Sequence, residues 1–130
     1  MTFRYLGRNG LQPASNPVAQ ISVEALKELL DRDENVTLLD VREHFEREHC
    51  SIPVPPGIRD LLIPLNEIPG RIEELQRLDQ ATLIVVYCHH GVRSMHAAHW
   101  LSRQGTWRLA NLEGGIDDWS VRIDPQVLRY

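Results

Sequence analysis

The stretch Ala81-Thr82-Leu83-Ile84-Val85-Val86-Tyr87-Cys88-His89-His90-Gly91-Val92-Arg93-Ser94 decides the fold. Its first seven residues are almost all apolar and do not alternate with polar ones, the pattern of a strand covered on both faces in the middle of a parallel sheet. Cys88 follows at once, and Gly91 allows a tight loop. From Ser94 to Gln104, Met95, Ala98 and Leu101 fall on one helical face, with Gly105 placed to stop the helix. A strand that leads through a short loop into a helix is half of a parallel crossover unit.

Working outward, the same alternation recurs. Ser22 is a plausible N-cap and Glu24 suits a helix N-terminus, so Val23, Leu26, Leu29 and Leu30 predict a helix over 22–31. Val36 to Val41 predicts a second buried strand, ending at Arg42-Glu43-His44. One or two helical turns around Phe45 follow, then an extended loop through Pro53, Pro55, Pro56 and Gly57. Ile63-Pro64-Leu65 predicts a short edge strand, where proline's missing N–H is tolerated. Asn66, Ile68, Ile72, Leu75 and Leu78 predict a helix weakened at Gly70. Trp107 to Leu112 predicts another strand, Gly114-Gly115 a turn, and Ile116 to Val121 a short helix. Residues 1–20, broken by Gly7, Gly10, Pro13 and Pro17, predict an irregular lead-in to one domain over 21–130. The fold class is α/β with a parallel sheet.

Composition narrows the function. The 130 residues carry 14 Lys+Arg against 18 Asp+Glu, a formal net charge of −4, which argues against a broad electrostatic grip on nucleic acid or anionic lipid. With 42% hydrophobic and 25% charged residues the chain resembles an ordinary globular domain. The longest apolar run is far shorter than the ~20 residues that cross a bilayer. No secretory h-region opens the chain, so a cytoplasmic protein is expected. Two cysteines, Cys50 and Cys88, without a C-x-x-C pattern leave no disulfide framework, so each thiol stands alone.

The chemistry concentrates after the central strand. In open α/β sheets ligands bind beyond the carboxyl ends of the strands. A loop curling into a helix start converges its N–H groups on one point, which favours thiolate over thiol and attracts anions. Arg93 adds a fixed positive charge, and His89 or His90 adds one when protonated. A Cys-His hydrolase would need a base oriented by a third group, and His89 and His90 are chain neighbours that would have to bend back over the loop. Cysteine phosphatases place five residues between Cys and Arg, whereas four separate Cys88 from Arg93. The smaller loop suits one sulfur atom bonded to the cysteine.

Taken in order, Leu39-Asp40-Val41-Arg42-Glu43, Ile63-Pro64-Leu65, Ile84 to Cys88 with His90 to Ser94, and Asn111 to Ile116 with Trp119 resemble the single-domain rhodaneses. That resemblance spans about Ile21 to Tyr130. It implies a three-layer fold with a five-stranded parallel sheet flanked by helices, and a sulfurtransferase in which the loop from Cys88 to Arg93 cradles a persulfide. Cys88 would be the catalytic residue. The backbone of His89, His90, Gly91, Val92, Arg93 and Ser94 would bind the sulfur, with Asp40 and Arg42 supporting the loop. The donor would be thiosulfate or a persulfide, the acceptor a thiol, cyanide or a protein, and no metal or organic cofactor is needed. Many members place Arg directly after the cysteine; His89 here implies less avidity for dianionic thiosulfate. The proline-rich segment from Ser51 to Leu62 also departs from the family and implies a reshaped rim.

Other readings stay open beside this one. The fold could serve as a non-catalytic binding module, or as a sulfur carrier fed by a protein persulfide. Cys50 reads as a packed bystander rather than a resolving thiol. His96 and His99, with His89, His90 and Cys88, raise a zinc site, against which His96 sits about two turns beyond the loop. Trp100, Trp107 and Trp119 read as packing residues.

Overall fold

The structure, a computed structural model, describes residues 18–130. Five strands alternate with five helices: β1 (Val18–Ile21), α1 (Val23–Asp31), β2 (Val36–Asp40), α2 (His44–His49), β3 (Arg59–Leu62), α3 (Ile72–Gln76), β4 (Leu83–Tyr87), α4 (Val92–Ser102), β5 (Arg108–Leu112) and α5 (Gly115–Arg122). The strands form one sheet in the order β1-β5-β4-β2-β3, and every pairing is parallel. From β2 the chain moves outward to β3, and from β4 it moves the other way to β5. The loops after β2 and β4 therefore diverge, opening the crevice in which such sheets place their sites.

The central strand shows why its sequence does not alternate. Ile84 and Val86 face one apolar cluster with Leu39, Ala97, Ala98 and Leu101, and Cys88 continues that parity. Val85 and Tyr87 face the opposite cluster with Val23, Leu26, Ile116 and Trp119. Helices α3 and α4 thus cover one side, α1 and α5 the other, and both faces of β4 are dry. Helix α1 starts as expected, with Ser22 Oγ accepting from the Ala25 amide. No helix among the described residues is long and apolar enough to cross a membrane.

Several expectations need correction. The first strand begins at Val18, inside the stretch read as an irregular lead-in, and pairs with β5 from Val18–Leu109 to Ile21–Leu112. Residues 1–17 lie outside the described residues. At four residues, β1 is a strand made by its neighbour and not by its own pattern. The edge strand expected at Ile63-Pro64-Leu65 lies at Arg59–Leu62 instead; the Ile63 and Leu65 amides still donate to the Asp40 and Val41 carbonyls, at 2.9 and 3.0 Å, as the chain turns into the 3₁₀ turn that begins at Leu65. The helix expected from Asn66 is two 3₁₀ turns, Leu65–Glu67 and Pro69–Arg71, before the short α3, since Pro69 and Gly70 interrupt it. Helix α4 starts at Val92 and ends at Ser102, two residues earlier at each end, because left-handed Gly91 supplies the N-cap. Phe45, expected to anchor α2, is 71% exposed; the buried residue of that helix is Glu46.

Leu39→Ala, which empties a fully buried position on β2, is expected to cost about 2–5 kcal/mol in denaturant unfolding, while Phe45→Ala stays within about 0.5 kcal/mol of wild type.

Candidate active site

Cys88 leaves β4 buried, 1% exposed, with its side chain directed to the α4 side of the sheet. The backbone reverses over the next three residues. Gly91 takes φ 102°, which an L side chain resists, and a Cβ there would press on the Leu112 carbonyl and Gly114 amide at 3.4 Å. The turn brings the Gly91 amide to 3.2 Å and the Ser94 amide to 3.4 Å from the sulfur, both donating to Sγ. Ser94 Oγ lies 3.4 Å from Sγ as well, and donates in turn to Asn111 Oδ1. Asn111, buried on β5, donates through Nδ2 to the Gly91 carbonyl at 3.2 Å and to Gln20 Oε1 at 3.1 Å. The sulfur is buried, yet its surroundings are polar.

The start of α5 fixes the direction of the loop peptides. The Ile116 amide donates to the Cys88 carbonyl at 2.9 Å, and the Asp117 amide to the His89 carbonyl at 3.1 Å. In a trans peptide N–H points opposite to C=O, so holding those two carbonyls against α5 turns the His89 and His90 N–H groups away from it. Gly115 makes the approach possible. Its φ is +64°, and a Cβ would sit about 2.4–2.6 Å from the Cys88 and His89 backbone. The amides of His89, His90, Val92 and Arg93 have no hydrogen-bond partner among the described residues. The loop therefore holds two donors on the sulfur and several open ones around it.

Side chains of the loop do less than their types suggest. Arg93 sets both Nη atoms on Glu46, at 2.7 and 2.9 Å, a bidentate fork that closes the loop onto α2. That bond pushes the Glu46 carboxyl down to about 2, assisted by the Glu43 amide and the Tyr130 hydroxyl and against the effect of burial. The same pairing raises Arg93 above its ordinary value. Val92 is 65% exposed and offers the site only its amide. His90 is exposed, with Nε2 3.7 Å from Asp117 Oδ2. His89 stacks on His90 and on Tyr130.

Asp40 and Arg42 sit behind the loop. Arg42 is fully buried, bound to Asp40 through Nε at 2.9 Å and Nη2 at 2.8 Å. It also donates to the Cys50 carbonyl at 2.7 Å and to Tyr130 Oη at 3.0 Å. Burial works against the Arg42 charge, but Asp40 and Tyr130 more than offset it and hold the guanidinium protonated. Arg47 bridges Asp40 to Asp60 on β3, tying the proline-rich segment to the same cluster. Cys50 packs against the cluster on the other sheet face from Cys88, so the geometry gives no support to a resolving thiol.

Sequence reasoning did not single out Glu46, Asn111, Gly115 or Tyr130 as site residues. Asn111 had a signal, a polar residue in the apolar run Leu109 to Leu112, which must find partners when buried. Glu46 and Tyr130 had none, since an acid in a charged segment and a tyrosine 42 positions beyond the cysteine look like surface. The zinc grouping is not brought together as proposed. A different trio, His89, His90 and Asp117, has ligand atoms within 4.8 Å of one another, but Asp117 already holds Arg129 at 2.9 Å.

Comparison with known proteins agrees with this geometry. A family model described as a rhodanese-like domain matches residues 22–122. The "Putative sulfur carrier protein YrkF" of Bacillus subtilis is 38% identical over 118 residues, 91% of this chain, and the chain spans 59% of that protein's length. A sulfurtransferase of Allochromatium vinosum is 36% identical over 103 residues, covering 79% of this chain and 89% of its own. Among solved structures, a rhodanese-like domain protein from Staphylococcus aureus superposes with a TM-score of 0.69 at 26% identity, over 87% of this chain and 99% of that one. A thiosulfate sulfurtransferase from Pseudomonas aeruginosa gives 0.72 at 26% identity, over 86% of this chain but 20% of the other. A parallel five-stranded sheet, a cysteine loop of this length after its middle strand, and a match over most of the sequence lead to one assignment: the chain belongs to the rhodanese-like family.

Proposed function

We propose that the chain is a sulfurtransferase that carries one sulfane sulfur as a persulfide on Cys88. The observation that carries this reading is the pair of amides, Gly91 and Ser94, donating to Cys88 Sγ inside a ring of further unpartnered amides. Names of relatives, a sulfur carrier and a sulfurtransferase, point the same way. Asp40 and Arg42 act as supports, since full burial keeps Arg42 from any ligand.

In the first half-reaction the Cys88 thiolate attacks the outer sulfur of a donor. A Cys88 Sγ–S bond forms, the donor's S–S bond breaks, and its electron pair leaves with sulfite from thiosulfate, or with a thiolate from a persulfide. The transferred sulfur then carries the negative charge. Amides that were open before transfer stabilise it as oxyanion-hole donors stabilise oxygen, in a dry site where such bonds are strong. In the second half-reaction a thiolate or cyanide attacks the outer sulfur, the Sγ–S bond breaks, and its pair returns to Cys88. Once the thiol has released its proton to water, neither half-reaction moves a proton, which fits a loop whose histidines make no hydrogen bond to the sulfur. Because Cys88 is 1% exposed, a donor reaches it only as the surroundings of the loop give way.

Intact-mass measurement after exposure to thiosulfate or glutathione persulfide is expected to show one added sulfur, located on Cys88 by peptide mapping and absent in Cys88→Ser. No added sulfur from either donor would instead indicate a binding module that retains the fold. Gly115→Ala forces a Cβ into the Cys88 and His89 carbonyls and is expected to lower sulfur loading by about tenfold or more, as the amides lose their aim. Gly70→Ala, where a Cβ meets nothing within 4 Å, is the matched control and leaves loading unchanged.

A further inference from the structure

Tyr130 lies beyond the residues matched by the family model. Its ring lies flat on the imidazole of His89, centroids 3.8 Å apart and planes 5° from parallel, and the same imidazole stacks on His90 at 3.9 Å. Its hydroxyl donates to Glu46 Oε2 at 2.7 Å and accepts from Arg42 Nη1 at 3.0 Å, while His49 meets the ring edge-on at 5.3 Å. The phenol is thus anchored at its oxygen and stacked along its face.

The charges around this stack are already answered. Arg93 is forked onto Glu46, and Arg42 onto Asp40. Asp117 holds Arg129 on one side and lies 3.7 Å from His90 on the other. His89 has a buried Nε2 with no hydrogen-bond partner among the described residues. Burial first, and His90 second, push the His89 imidazole below its ordinary value, against the pull of Asp117, the Tyr130 backbone and Glu46. Among the described residues, Arg42, Arg93 and Arg129 are all paired, and the open donors at the loop are backbone amides.

We propose that Tyr130 is a specificity-determining residue: its ring, anchored by the hydroxyl between Glu46 and Arg42, covers His89 and keeps that imidazole uncharged at the rim of the Cys88 loop, and so favours a sulfane sulfur borne on a thiol over the dianion thiosulfate. The choice of substrate rests on the sulfur-transfer reading of Cys88; the uncharged rim rests on geometry. A doubly charged donor must shed much of its hydration to reach a buried sulfur, and among the described residues the arginines at the rim are already committed to carboxylates. A thiol persulfide brings at most one charge at its reacting end and loses less there. Removing the ring wets His89 Nε2, restores the imidazole to its ordinary titration near pH 6.5, and places a positive charge beside the loop.

The test compares wild type, Tyr130→Phe and Tyr130→Ala at pH 6.5 with two alkylating agents, anionic iodoacetate and neutral iodoacetamide, following Cys88 by peptide mass spectrometry. Both reagents pass the same opening, so a loosened loop cancels in their rate ratio. Tyr130→Ala is expected to raise the iodoacetate-to-iodoacetamide ratio about threefold, and Tyr130→Phe, which keeps the ring on His89, to leave it near wild type. In parallel, the kcat/KM ratio of thiosulfate to glutathione persulfide should rise in Tyr130→Ala, through KM and not kcat. An equal ratio in all three proteins, by either pair of reagents, overturns the proposal while leaving persulfide formation on Cys88 intact. If the alkylation ratio shifts as expected but neither donor loads the wild type, the uncharged rim stands and the donor preference falls together with the sulfur-transfer reading.

Discussion

Two hydrogen bonds hold the site in place: from the amides of Ile116 and Asp117, at the start of α5, to the carbonyls of Cys88 and His89. A short loop between strand and helix could point its peptides either way. With these two carbonyls bound to α5, the following N–H groups turn from it, and the loop becomes a concave set of donors with Cys88 Sγ among them. The grip works only because Gly115 has no side chain, and the loop turns back only because Gly91 tolerates a left-handed backbone. Helix α5 lies far along the chain from β4, so the loop is made by tertiary structure and not by its own residues.

A second layer fixes that loop to the rest of the fold through charge. Asp40 and Arg42 at the end of β2, Glu46 on α2, Arg93 on α4 and Tyr130 form a chain of charge-assisted bonds. Buried ion pairs of this kind add little net stability, because desolvation offsets much of their attraction. Their bidentate geometry does set direction, and here it brings α2, α4 and the end of β2 to fixed distances around the loop. Among the described residues, the same pairing leaves neither Arg42 nor Arg93 free at the rim. In the proposed function, backbone dipoles are then the means of holding an anionic sulfur, which suits a single charged atom better than a bulky polyanion.

Much of this was legible in the residues, and what was not has a physical reason. Leu83 to Tyr87 announces a strand with two covered faces, and the four-residue gap from Cys88 to Arg93 announces a small cup. Ser22 caps α1 as its chemistry requires. By contrast, Val18–Ile21 becomes a strand only because β5 presents an open edge, and Arg59–Leu62 only because β2 does. Such edges are long-range pairings, invisible to local periodicity. Arg93 reads as a fixed positive charge at the cup, and its partner stayed hidden because Glu46 lies 47 residues away in a segment whose acids look solvent-facing. Asn111 could have been found as a polar residue in a buried strand, whereas Tyr130 carried no local signal at all.

The central claim is that the loop amides, aimed by α5, hold the outer sulfur of a Cys88 persulfide. The most direct measurement is a comparison of backbone amide ¹H–¹⁵N spectra for the reduced and persulfidated protein. On addition of one sulfur, the amide protons of residues 89–94 should move downfield as new hydrogen bonds form, while those of β1 and β3 stay in place. Shifts confined to Cys88 itself, with the amides of Gly91, Val92, Arg93 and Ser94 unmoved, would contradict the account.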